Sequence, residues 1–147
     1  MKYHLLAVIF LLTACSQTDK KGAEIFQKEG AAISGYDPVA FFSERKPVKG
    51  SAEHTVNWKE AKWQFASQAN LDSFKAAPEK YAPQYGGYCA YGTADGHKAP
   101  TEVETWTVLD GKLYFNYNKE VKNLWDKERP KYIEQADVNW EKIRYAE

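Results

Sequence analysis

The dipeptide Asp110-Gly111 stands between Trp106-Thr107-Val108-Leu109 and Lys112-Leu113-Tyr114-Phe115, and no other feature limits the fold of this chain so tightly. Asp-Gly accepts the left-handed backbone that a two-residue turn demands, so the flanking runs read as antiparallel strands. In that pairing Trp106 faces Phe115 and Val108 faces Leu113. Residues 54–66 alternate in the same way. With Glu60-Ala61 as the turn, Trp58 faces Trp63 and Val56 faces Phe65. A one-residue shift sets Trp63 against Asn57, so the apolar pattern selects the first register. Glu-Ala is a poor two-residue turn sequence, which leaves a wider loop open.

Helices are expected around the hairpins. Asp37-Pro38 combines a capping residue with proline at the first helical position, ahead of Val39-Ala40-Phe41-Phe42. Ser67 can cap a helix from about Gln68 to Ala76, with Leu71 and Phe74 on one side, and Pro78-Glu79-Lys80-Tyr81 adds a turn. Asn118 can cap a helix carrying Val121, Leu124 and Trp125, and Pro130 opens a last one in which Ile133, Ala136, Trp140 and Ile143 recur at helical spacing. Tyr85-Gly86-Gly87-Tyr88-Cys89-Ala90-Tyr91-Gly92 mixes glycines with tyrosines and reads as a packed loop. The expected fold is α+β: a small single domain of two antiparallel β-hairpins with short helices packed around them.

The N-terminus carries a different signal. Met1-Lys2-Tyr3-His4 precedes the apolar run Leu5 to Leu12, and Thr13-Ala14-Cys15 follows. That run is too short to span a hydrocarbon core, which needs about 20 residues in a helix. A charged start, a short apolar centre and small residues before a cleavage site are the layout of a secretory signal. Leu12-Thr13-Ala14-Cys15 resembles a bacterial lipobox, which implies that Cys15 is lipidated and becomes the mature N-terminus. Acyl chains at about 0.8 kcal/mol per buried methylene then hold the protein on a bilayer. Ser16, where an aspartate would suggest inner-membrane retention, favours the outer membrane, facing the periplasm. The expected organisation is a signal peptide over residues 1–14, a lipidated N-terminus and polar tether over 15–30, and the folded domain over 31–147.

Lysine plus arginine balance aspartate plus glutamate at 20 each, so there is no basic footprint for nucleic acid. Two cysteines are present, and lipidation of Cys15 leaves Cys89 as the sole thiol, with no internal disulfide.

Three blocks are informative in their order: Gly35-Tyr36-Asp37-Pro38-Val39-Ala40-Phe41-Phe42, Trp63-Gln64-Phe65-Ala66-Ser67, and Phe74 through Pro78-Glu79-Lys80-Tyr81 to Tyr85-Gly86-Gly87-Tyr88-Cys89-Ala90. They resemble the YHS domain family, in particular its exported single-domain bacterial branch. Asp110-Gly111-Lys112-Leu113-Tyr114-Phe115-Asn116 and Ala136-Asp137-Val138-Asn139-Trp140 extend the likeness. Short members of that family accompany heavy-metal transport and copper-handling proteins, and carry cysteines in Asp-Pro-Val-Cys and Phe-Cys-Ser-x-x-Cys segments. This chain has Ala40, Ala66 and Asn70 at those cysteine positions. Thiolates are what bind soft metals or zinc there, so the metal mode does not carry over intact.

The resemblance implies a lipid-anchored envelope binding module, with copper the leading ligand. Cys89 with His97 or His54 supplies the residue types for Cu(I), which accepts two or three soft ligands; a buried, inert Cys89 is the alternative. The runner-up is a module for a small molecule or an envelope protein partner, using an aromatic pocket drawn from Tyr36, Tyr81, Tyr85, Tyr88 and Tyr91. A thiol-dependent enzyme comes third: Cys89, His97 and Asp95 supply nucleophile and base types without a local signature, so binding is favoured over catalysis.

Overall fold

Apolar alternation and helix caps shape most of the chain. In a computed structural model, which describes residues 22–147, the strands form three antiparallel pairs among the described residues. β1 (Gln27–Lys28) pairs with β2 (Ala31–Ala32), β3 (Ser51–Trp58) with β4 (Ala61–Phe65), and β5 (Thr107–Leu109) with β6 (Lys112–Tyr114). The helices are α1 (Ala40–Ser43), α2 (Gln68–Ala76), α3 (Pro78–Tyr81), α4 (Ala90–Ala94), α5 (Lys119–Lys127) and α6 (Arg129–Ile143). The fold is α+β as expected, with the short β1–β2 pair added to the two hairpins. The signal segment and Cys15 lie outside the described residues.

The β3–β4 turn differs from expectation. Lys59-Glu60, not Glu60-Ala61, forms it, with Val56 opposite Trp63 and Trp58 opposite Ala61. Both turn residues take left-handed φ, 50° and 59°, the geometry whose twist matches the flanking strands. The difference is a two-residue slide, which preserves the face of every side chain. Trp58 and Trp63 therefore still meet, with ring centroids 5.7 Å apart. In the other hairpin Val108 pairs with Leu113 as expected. Trp106 falls outside the ladder, at the end of a 3-10 turn over Val103–Thr105, yet its ring packs 5.6 Å from Phe41.

The caps at Ser67 and Asn118 are those the sequence predicts, whereas Pro38 lies in a turn before α1 and does not open it. Asp37 Oδ1 accepts from the Val39 and Ala40 amides at the start of α1. Ser67 Oγ accepts from Asn70 N at 3.1 Å, and Asn118 Oδ1 from Val121 N at 2.9 Å. The Tyr85–Gly92 stretch is a correction, because it is not all loop. A 3-10 turn covers Gln84–Gly87, and α4 begins after Cys89, whose Sγ accepts from the Gly92 amide. A thiol in the capping place is outside the usual Ser/Thr/Asp/Asn signal, so the sequence hides this helix.

Two apolar clusters make the core. One gathers Phe41, Trp63, Phe65, Phe74, Leu113 and Phe115, and the other Tyr85, Tyr114, Trp125, Ala136 and Trp140. Residues 22–30, which the sequence assigns to the tether, run against this body. Ile25 is buried in the first cluster, Gly22 N donates to Tyr145 O, and Phe26 N donates to Gly86 O. No helix among the described residues is long and apolar enough to cross a membrane.

Candidate functional site

Asp37 is fully buried at the junction of α1 with the end of β4. A buried carboxylate is costly unless hydrogen bonds replace its water, and here four donors do so. Oδ1 takes Val39 N at 2.8 Å and Ala40 N at 3.3 Å; Oδ2 takes Ala66 N at 2.8 Å and Asn70 Nδ2 at 2.7 Å. Three of those donors belong to Ala40, Ala66 and Asn70, the positions where the family resemblance puts cysteines. The donor set here is amide, not thiolate, and does not fit a soft metal.

Cys89 is 1% exposed. Its sulfur accepts from Gly92 N at 3.4 Å and Tyr117 N at 3.3 Å, and faces Asn116 Oδ1 at 3.6 Å. Burial pushes the thiol above its ordinary pKa, against the pull of the Gly92, Tyr117 and Tyr91 amides. A protonated, sealed sulfur is a poor nucleophile, because the thiolate is the reactive form.

The two histidines separate. His97 folds back so that its Nε2 lies over Gly92, the residue whose amide bonds Cys89. Its side chain is exposed and Nδ1 faces Asp95 at 3.5 Å. His54 sits on β3 in the irregular stretch between Ser51 and Thr55, with Nδ1 shielded and without a partner. Among the described residues, no three His, Cys, Asp or Glu side chains are gathered so as to hold a metal ion.

The five motif tyrosines do not line one pocket. Tyr81 packs edge-on against Phe42 and Tyr91 against Tyr132, Tyr88 packs tilted against Phe26, and Tyr36 lies under Lys49. Tyr85 alone of the five borders a cleft of about 420 Å³, with Trp58, Trp140, Glu24, Lys59, Asp137 and Arg144 also on its walls. Lys59 bridges Glu24 at 2.8 Å and Glu79 at 3.5 Å. Burial alone raises the Glu24 carboxyl, but Lys59, Tyr145 and Arg144 bring it below its ordinary pKa, so it stays charged. At the far wall Tyr85 Oη donates to Asp137 Oδ1 at 2.8 Å. Burial first, and Asp137 second, push the Tyr85 phenol far upward, so it remains a neutral donor. The cleft thus presents charges of both signs, paired with one another and held beside Trp58 and Trp140.

Sequence reasoning missed Glu24, Lys59, Asp137 and Arg144. Asp137 directly follows Ala136 on the apolar stripe of α6 and lies in the Ala136–Trp140 block quoted above, the signals that could have pointed to it.

Residues 39–85 match the YHS domain. The YHS segment begins just before α1 and ends at Tyr85. It therefore contains the positions of Ala40, Ala66 and Asn70 but neither Cys89 nor His97. No curated protein and no solved structure matches the chain.

Proposed function

We propose that this chain is an exported YHS-type binding module, with a signal peptide over residues 1–14, a lipid anchor at Cys15 and a YHS-like domain extending to residue 147. It works on the periplasmic side of the outer membrane and recognises a small polar molecule or a polar segment of an envelope partner in the cleft bordered by Tyr85, Asp137, Lys59 and Arg144. The observation that carries this reading is the contrast between the two candidate sites. Cys89 is sealed and already hydrogen-bonded, whereas the cleft is open and lined by charged groups held in place. Catalysis through Cys89 is disfavoured by the same contrast.

Two measurements test it. A Cys15→Ser chain should leave the membrane fraction and lose its acyl mass; retention of both would end the anchor reading. In a thermal-shift panel of amino acids, sugars and small dicarboxylates, at least one class should stabilise the native protein but not Asp137→Asn. A panel that moves neither protein, or moves both alike, counts against the cleft.

Copper handling is the second reading. It is supported by the YHS match, the family being often linked to metal handling, and by the return of His97 onto Gly92 beside Cys89. Titration with Cu(I) and Zn(II) beside Cys89→Ala separates it from the first. Stoichiometric binding lost in the variant supports copper, and equal, weak responses exclude it.

A further inference from the structure

The thiol positions of the YHS segment are joined in this chain by another kind of bond. Ala40 opens α1, Ala66 follows β4, and Asn70 lies in the first turn of α2. All three donate to Asp37, two by backbone amide and one by side chain, at 2.7–3.3 Å. Asp37 is itself tied into the chain, since its amide donates to Val48 O at 2.9 Å. The carboxylate therefore stands where several segments meet, with both oxygens doubly occupied. Hydrogen bonds to an ionised acceptor are roughly twice as strong as neutral ones, which suits a cross-link.

Asn70 has the decisive role. Its amide N–H is used by the Ser67 cap at 3.1 Å, while its side chain reaches Asp37 at 2.7 Å. One residue thus ties the start of α2 to both its own cap and the α1 junction. A thiol here would be only a weak donor toward Asp37, whereas the carboxamide N–H donates to it directly at 2.7 Å.

We propose that the YHS segment of this chain is closed without metal by an Asp37-centred carboxylate–amide cross-link, in which Asn70 takes over the joining role of a ligating thiol. The proposal is independent of the cleft and of Cys89, so failure of either reading above leaves it standing.

The test uses the full-length protein purified in detergent, with its metal content measured by mass spectrometry and its Tm recorded with and without a strong chelator. Expected are a metal content and a response to chelator, Zn(II) and Cu(I) that are the same in the native protein and the Asn70 variants, and a Tm lowered by several degrees in Asn70→Ala. Asn70→Asp, which keeps the size but sets a second carboxylate against Asp37, should lower Tm further. Asp37→Asn should be the most destabilised; if it fails to fold, the Asn70 variants still decide. Stoichiometric metal lost in the Asn70 variants, a chelator-induced fall in Tm that the Asn70 variants lack, or an Asn70→Ala Tm equal to the native value overturns the proposal.

Discussion

Cys89 shows how much a residue's surroundings decide its chemistry. Its sulfur caps α4 and also receives the Tyr117 amide, so Cys89→Ala leaves two amides without an acceptor. An unmet buried donor costs about 1–3 kcal/mol, so a clear drop in Tm is expected for that variant. A thiol reagent should be inert toward the native protein and react at once after denaturation; fast native labelling would contradict the sealed site. The pH dependence follows from the same burial. Cys89 has its folded pKa above the ordinary 9.0, and Tyr114 is pushed up to about 12, by burial first and then by Asp137 and Asp110. Both groups are neutral when protonated, and the folded state holds their protons more tightly than the unfolded chain. Their contribution is therefore complete below the unfolded pKa values and is lost as pH rises through the folded ones. Thermal melts taken from neutral to strongly alkaline pH should show Tm falling first in the thiol range, and Cys89→Ala should remove that earliest part.

Among the elements, the β3–β4 hairpin combines a sound face pattern with an ill-suited turn. Glu60 holds φ 59° with a side chain that prefers φ below zero. A left-handed L-residue costs about 1–2 kcal/mol, and glycine is free of that cost. Glu60→Gly should raise Tm by a few degrees, since the Glu60 side chain is exposed and only its carbonyl is used, by Gln27 Nε2 at 3.3 Å. Lys59 is the wrong choice for the same change, because it bridges Glu24 and Glu79. A neutral or lower Tm for Glu60→Gly would mean that the turn differs from the one described. α4 teaches the opposite lesson: a short helix with a sulfur cap gives too little local signal to be read from residue types.

For the whole molecule, the strap over residues 22–28 couples the N-terminal region to both clusters. Its closest approach is at Gly86, where φ is 61° and an added Cβ would run into the Glu24 carbonyl. Gly86→Ala should therefore push the strap away, opening it to limited proteolysis and lowering Tm. Proteolysis unchanged from the native protein would show the strap to be held elsewhere. The sequence by itself determined the α+β class, the apolar face of each hairpin and the capped helices at Ser67 and Asn118. Those features depend on alternation, spacing and caps within a few residues of one another. The tertiary structure decided which chemistry survives. Asp37 meets Asn70 across 33 positions, and Tyr85 meets Asp137 across 52. Burial of Cys89 likewise depends on Asn116 and Tyr117, far along the chain. No local pattern carries such pairings, because they arise only when separately formed elements close on a shared core.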